Sequence, residues 1–330
     1  MARKKQLTSA YKKKLEHQQY RTIGTHSAVK VCGWTKQSLR GAGECYKKKF
    51  YGIKTHKCLQ MTCNLSCANR CIFCWRDDKG PVEKEWEWQT DEPEEIAEKA
   101  IEEHLKLLIG FAGSDTAKKK KVDESKKVEH VALSLIGEPI QYPKINELVK
   151  EFHKRKISTF VVTNGQYPKA IKNLKKVTQL YLSIDAPNRE TAKIIGVPLF
   201  KDHWKRFNRS LEEIAKKKYR TAARITIVHG INDFEPGEYA NLVKKGKFDF
   251  VEVKDYVHVG ASRKRLKKEN MALMKGIRKF SKELAAYLPD YEIVSEHRPS
   301  KVVLLAKKKF KGNTKIDFKK LFSASKSRAP

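Results

Sequence analysis

No stretch of the sequence approaches the roughly eighteen consecutive apolar residues that a membrane-spanning helix needs. The amino terminus, MARKKQLTSAYKKKLEHQQYR, lacks the apolar core of a secretory signal. A cytoplasmic protein without a membrane association is therefore expected. Acidic residues are in short supply: 38 Asp and Glu face 71 Lys and Arg, a formal net charge of +33. A lysine-rich solvated surface explains many charges but not the imbalance, because such surfaces are enriched in Glu as well. A polyanionic partner explains it, since each phosphate contacted releases counterions. Basic runs recur at Lys47–Lys49, Lys118–Lys121, Lys216–Arg220 and Arg263–Lys268, with no apolar helical face beside them to favour a membrane surface. No repeat of fixed period is present. Seven cysteines, an odd number without a secretion signal, exclude a simple disulfide framework and point to metal or redox chemistry.

What is present is an alternation of short β-rich runs with helical stretches, the pattern of βα units around a parallel sheet. Strands are expected at Lys57–Met61, Val131–Ile136, Thr159–Thr163, Leu180–Ile184, Arg224–Val228 and Phe250–Lys254. A helix capped by Asp91 follows the first, with Ala97, Ala100, Ile101, His104 and Leu108 on one face. Further helices are expected at Ile145–Lys154, Lys201–Lys217 and Pro236–Lys245. Polar residues alternate along three strands: Ser183 and Asp185, Arg224 and Thr226, Glu252 and Lys254. A sheet covered by helices on both faces would be apolar throughout. Polar alternates fit an α/β fold that curls into a partial, open, TIM-like (βα)6 barrel, its chamber at the strands' carboxyl ends. The chain then divides into a basic extension (1–56), the barrel (57–256), a segment with a β-hairpin (257–310) and a disordered basic tail (311–330). Residues 112–127 read as a mobile insertion.

Cys67, Cys71 and Cys74 are spaced C-x3-C-x2-C directly after the first strand. Structural zinc takes four ligands, usually in two pairs, whereas three thiolates on an iron–sulfur cube leave one iron with an open position. The octet CANRCIFC resembles the signature of the radical S-adenosylmethionine (SAM) superfamily, including Phe73 before the last cysteine. That resemblance implies a [4Fe-4S] cluster whose unique iron is chelated by the amino and carboxylate groups of SAM. It also implies cleavage of SAM to a 5′-deoxyadenosyl radical. Gly137-Glu138-Pro139 is similar to the superfamily's motif for the SAM amino group; the bland alternative is an ordinary turn. Asn164, Ser183 and Asp185, at strand ends, are candidates for the SAM ribose or carboxylate, with helix capping as the alternative for Asn164.

Cys32, Cys45 and Cys58 form a second trio, C-x12-C-x12-C. Isolated core thiols and a zinc site completed by His26 or His56 are the alternatives to a second cube with an open iron. The ordered motifs CYKKKFYGIKTHKCLQMT, CANRCIFCWRD, SLIGEPIQYPKIN, VTQLYLSIDAP, FVEVKDY and YEIVSEH, from about Cys32 to Lys309, resemble the tRNA 4-demethylwyosine synthases. The resemblance implies condensation of N1-methylguanosine, next to the anticodon of phenylalanine tRNA, with pyruvate. The radical takes hydrogen from the N1-methyl group, the carbon radical adds to the pyruvate carbonyl, and loss of the carboxyl carbon with ring closure gives the tricyclic base. Two [4Fe-4S] clusters follow, the second holding pyruvate near the radical. A lysine beside it, Lys47 first and Lys48 second, is the candidate for a Schiff base; solvated or phosphate-binding lysines are the alternative. An external flavodoxin- or ferredoxin-type donor is expected, because eukaryotic relatives carry a flavodoxin-like domain for which this chain has no room. A monomer is expected. Trp75, Tyr46, Phe50 and Trp204 are candidate stacking partners for RNA bases, with core packing favoured for Trp204. Cys63 fits neither trio and reads as a spare thiol. The rival readings are another radical SAM enzyme, such as a glycyl-radical activase, and a zinc RNA-binding protein.

Overall fold

The computed structural model describes residues 4–323. In chain order they form α1 (Ser9–His17), β1 (Arg21–Ile23), β2 (Ser27–Val29), α2 (Gly33–Arg40), α3 (Tyr46–Tyr51) and β3 (Cys58–Thr62). Then come α4 (Pro93–Ala112), α5 (Lys119–Ser125), β4 (His130–Leu133), α6 (Ile145–Lys154), β5 (Ser158–Thr163), α7 (Pro168–Asn173) and β6 (Gln179–Ser183). The chain continues through α8 (Arg189–Gly196), α9 (His203–Ala215), β7 (Thr221–Ile227), α10 (Pro236–Gly246) and β8 (Phe250–Asp255). It ends with α11 (Leu273–Ala286), β9 (Tyr291–His297), β10 (Val302–Lys307) and α12 (Phe318–Ser323).

All ten strands join one sheet in the order β1-β2-β3-β4-β5-β6-β7-β8-β10-β9. Strands β3 to β8 pair in parallel, each with the next, so the six expected strands are the six of the barrel wall. Helices cover every crossover, as parallel strands require. In α6, Ile145, Leu148, Val149 and Phe152 are buried, the i, i+3, i+4, i+7 stripe of a helix on a core. The wall stays open, with β1 and β9 at its two edges.

Both extensions are built into this wall. The hairpin β1–β2 adds to β3 through Ala28↔Thr62 and Val29↔Met61. At the other edge β10 pairs antiparallel with β8 and β9 with β10. Helix α3 packs inside the barrel, where Tyr46, Phe50 and Tyr51 meet Phe160, Tyr181, Ala222 and Phe250.

Three expectations need correction. Asp91 does not cap α4; Glu92 holds the cap position without a side-chain hydrogen bond, and Asp91 accepts from Thr25 N (2.7 Å). Residues 112–127 are not a loose insertion, because α5 buries Val122 against Val31, Leu39 and Leu108. Of the expected disordered tail, residues 311–323 are held in place. Thr314 Oγ1 donates to Phe50 O (2.6 Å), Ile316 N to Tyr51 O (3.1 Å), and the Phe318 ring packs 4.8 Å from that of His130. Residues 324–330 lie outside the described residues.

Candidate active site

The loop after β3 carries Cys67, Cys71 and Cys74 to the carboxyl end of the wall, where βα proteins gather their reactive groups. Its course is fixed by hydrogen bonds: Thr62 Oγ1 donates to Asn64 O (2.8 Å), and Asn64 Nδ2 to Glu138 O (3.1 Å). Arg76 donates to Pro81 O (2.8 Å) and more distantly to Leu65 O and Asn69 O. The three thiols line a cavity of about 250 Å³ together with Gly137, Glu138, Asn164, Ser183 and Asp185. Every residue expected at the first cluster and SAM therefore faces one space.

The electrostatics of this space suit cationic guests. Burial pushes the Cys67 thiol up to about 11 and Cys71 well above its usual range, the latter also through the neighbouring charges of Cys74 and Cys67. Such thiols ionise when a metal compensates them. Asn164 Nδ2 and Asn69 N each lie 3.4 Å from Cys67 Sγ, ready to donate to a thiolate. Glu138 is buried at 2% exposure. Its Oε2 accepts from Asn164 N (3.0 Å), and among the described residues its Oε1 has no hydrogen-bond partner. Burial raises it to about 7, against the lowering effect of hydrogen bonds from Thr163 and Asn164 N–H. An unpaired carboxylate oxygen in a dry wall fits an ammonium group. Asp185 is likewise raised by burial to about 6, with Oδ1 accepting from Thr226 N (3.2 Å). Gly137 has φ +72°, and a Cβ there would stand 1.8 Å from Asn64 O, so the turn admits glycine alone. Asn164 is not a helix cap: Tyr167 precedes α7, and Asn164 Oδ1 closes a local turn by accepting from Gln166 N (2.9 Å).

The cysteines of the second trio are near enough for Cys45 and Cys58 each to feel the charge of Cys32. Cys32 and Cys45 occupy the N-cap positions of α2 and α3, and Cys58 begins β3. Burial pushes Cys45 and Cys58 each up to about 12, and each also feels the charge of Cys32 and of Lys47. Neither trio gathers around one point as the ligands of a single ion do. The zinc-completing histidines are engaged elsewhere: His26 Nδ1 with Cys63 O (2.8 Å), His56 Nε2 with Glu124 (2.7 Å).

Lys47 is 9% exposed, and its ammonium sits 5.1 Å from the Tyr181 ring centre and 5.3 Å from that of Phe160. Burial first, then the Arg224 guanidinium, lowers its pKa below the ordinary 10.5. Lys48 is excluded by its position: half exposed, it pairs with Glu44 (3.0 Å) on the outside of α3. Tyr46 and Phe50 are also unavailable as stacking partners, being enclosed in the barrel. Trp75 and Trp204 line the cavity, Trp204 stacked on Phe207 at 5.5 Å. Cys63 is a core thiol donating to Pro139 O (3.4 Å).

Sequence reasoning left several barrel residues without a role. Glu252 accepts from Tyr51 (2.8 Å), Tyr46 (2.9 Å) and Arg224 (3.1 Å), and Lys254 is lowered by burial and Arg224 to about 8. Their alternation along β7 and β8 was the available signal.

Residues 62–243 match the Radical SAM superfamily and residues 245–307 the family described as Wyosine base formation. The chain is 46% identical over 319 residues to the S-adenosyl-L-methionine-dependent tRNA 4-demethylwyosine synthase TYW1 of Xenopus laevis, covering 95% of this chain and 43% of that protein. The human and rice proteins of the same name (without the symbol for rice) are each 46% identical over 94% of the chain. The chain spans less than half the length of these relatives. Among solved structures, that of TYW1 with a lysine-pyruvate adduct bound superposes with TM-score 0.83 at 36% identity, covering 95% of this chain and 99% of that one. The crystal structure of archaeal TYW1 gives 0.76 at 32% identity, covering 94% and 100%.

Proposed function

The chain belongs to the tRNA 4-demethylwyosine synthase (TYW1) family of the radical SAM superfamily, and from this premise we propose the reaction that it performs. It condenses N1-methylguanosine at position 37 of phenylalanine tRNA with pyruvate to form 4-demethylwyosine, cleaving a carbon–carbon bond of pyruvate and so acting as a lyase. A [4Fe-4S] cluster on the first cysteine trio would supply the electron that cleaves bound SAM to methionine and a 5′-deoxyadenosyl radical. Cys67, Cys71 and Cys74 hold that cluster. Glu138 offers its unpaired Oε1 to the SAM amino group, and the Gly137 backbone makes room for the approach. Asn164, Ser183 and Asp185 line the space for the ribose and carboxylate.

Cys32, Cys45 and Cys58 hold a second [4Fe-4S] cluster. Lys47, in its neutral form, attacks the pyruvate ketone; a water leaves and an imine remains, which fixes the two-carbon donor at the inner wall. The observation that carries this reading is the burial of Lys47 beside the second trio, two residues after Cys45, inside the same open barrel. The lysine-pyruvate adduct named for a relative 36% identical supports it. The basic surface tracks tRNA phosphates. An external flavodoxin- or ferredoxin-type donor supplies electrons to a cytoplasmic monomer. Neither the activase nor the zinc-protein reading accounts for a wyosine-forming segment at 245–307.

The test is an anaerobic reaction with SAM, pyruvate, reductant and N1-methylguanosine-containing tRNA, read as a tricyclic nucleoside in nuclease digests. The parent protein should carry about eight irons, and Cys45→Ala and Cys67→Ala about four each. Both variants should give no product. Full activity in Cys45→Ala removes the second cluster from the account.

A further inference from the structure

The wyosine-forming segment does more than extend the sheet. Between β8 and α11 its loop 257–268 lies across the outside of the first-cluster loop. Arg265 Nε donates to Ile72 O (3.0 Å), Nη2 donates to Cys74 O (2.5 Å), and Nη1 pairs with Asp78. Ala261 N donates to Trp75 O (3.2 Å). Gly260, at φ +59°, comes so close that a Cβ would stand 2.4 Å from the same carbonyl. Leu266 is buried with Ala186, Ile195 and Tyr256, against which Ile72 and Phe73 pack. Internally the loop is braced by Tyr256 to Ser262 (2.9 Å) and His258 to Leu266 O (3.0 Å). It is a built element, and its inner side is spent on gripping the backbone that carries the cysteines.

Its outer side is different. Arg263, Lys264, Lys267 and Lys268 are exposed, beside Val257 and Val259 at 47% and 36% exposure. Among the described residues, Lys264 and Lys268 have no acidic partner within salt-bridge distance, and Lys267 has only Glu269 at 3.5 Å. Two of the residues whose carbonyls the loop grips, Cys74 and Trp75, line the candidate SAM cavity, which ties the loop to the cavity wall.

We propose that loop 257–268 is the docking strap for the anticodon loop of the RNA substrate: its four outer cations hold backbone phosphates, Val257 and Val259 meet an unstacked base, and Arg265 is the positioning residue that ties this surface to the cluster loop. The proposal rests on the tRNA-modifying reading above. RNA is favoured over an acidic electron-donor protein because a polyanion is the substrate class of that reading and the chain's net charge of +33 is matched to one. Cations that track the backbone are a common element of single-stranded nucleic-acid binding.

The test uses the full chain with both clusters reconstituted, and phenylalanine tRNA containing N1-methylguanosine as the probe. Affinity is measured across a salt series for the parent and for Arg263→Ala/Lys264→Ala/Lys267→Ala/Lys268→Ala. Affinity should fall at least tenfold and the salt slope by about three, four contacts contributing roughly 0.7 each. Circular dichroism and iron content report whether the variant is folded and loaded. The control, Lys275→Ala/Lys279→Ala/Lys282→Ala on α11, should change the slope far less. An unchanged slope in the strap variant overturns the proposal, as does an equal loss in the control. So does intact tRNA binding with turnover lost only when a flavodoxin replaces dithionite, which assigns the surface to the donor. If the parent itself fails to bind tRNA, the tRNA reading falls as well. Parent binding with an unaffected variant removes the strap alone. Arg265→Lys should leave iron content near the parent and shift the reduction potential of the first cluster. A potential unmoved in both Arg265→Lys and Arg265→Ala removes Arg265 from the proposal.

Discussion

Tyr46 and Glu252 lie 206 positions apart in the chain and share a hydrogen bond of 2.9 Å inside the barrel. Tyr51, one turn further along α3, reaches the other oxygen of the same carboxylate at 2.8 Å, and Arg224 supplies the countercharge at 3.1 Å. Glu252 is thus the anchor that seats α3 in the barrel, and Lys47, between the two tyrosines, is aimed by it.

Removing that charge isolates Arg224 in the interior. Glu252→Gln should cost about 3–5 kcal/mol of stability, the usual penalty for breaking a buried pair from one side. It should also slow the formation of a borohydride-trapped lysine–pyruvate adduct, because α3 loses its clamp. Denaturant unfolding and intact mass check the two effects. A variant as stable as the parent disproves the anchoring role.

Lys47 and Lys48 are neighbours with opposite fates, and the difference predicts their variants. Lys48→Ala should leave the trapped adduct in place and cost less than about 1 kcal/mol, since its ion pair with Glu44 is half exposed. Lys47→Ala should abolish the adduct. Only a neutral amine attacks a ketone. Burial and Arg224 lower the pKa of Lys47, so the parent's trapping rate should rise with pH to a plateau reached below the ordinary 10.5 of lysine. A midpoint at or above that value contradicts a buried nucleophile.

The contrast also shows what the sequence makes legible. The barrel wall could be read because β-branched runs and polar alternates are local signals. Arg224, Thr226, Glu252 and Lys254 announce an inner face by period alone. The C-x3-C-x2-C run points to the radical SAM superfamily, whose model matches residues 62–243, because that spacing is written in the chain. The placement of α3 could not be read. YKKKFY looks like a solvated basic turn, and what draws it inside is a carboxylate two hundred residues away. The hairpin β1–β2 escaped for a related reason: two three-residue strands show too little alternation to register, and their pairing with β3 is what stabilises them. Residues 112–127 are polar almost throughout, and the buried Val122 and Ser125 do not make a visible stripe.

Glu138 gives the sharpest test of the SAM site, because its cost and its use have opposite signs. In the ligand-free protein, burial raises its pKa from 4.5 to about 7. The folded state therefore binds the proton more tightly than the unfolded state. The stability linked to this group is fully present below pH 4.5 and is lost as pH rises through 7. At pH 8 the buried carboxylate costs about 3 kcal/mol, each tenfold difference in proton affinity between the two states being worth about 1.4 kcal/mol. Glu138→Gln keeps an oxygen for Asn164 N–H and carries no charge. It should therefore be more stable than the parent at pH 8 by up to that amount, and no more stable at pH 4.5. The N–H groups of the SAM amine donating to the carboxylate favour its charged form, so SAM binding to the parent near pH 6.5 should release protons. Glu138→Gln should release fewer and bind SAM at least tenfold more weakly. Calorimetry in buffers of different ionisation enthalpy reads both quantities. Equal proton release by the two proteins takes Glu138 out of the SAM site.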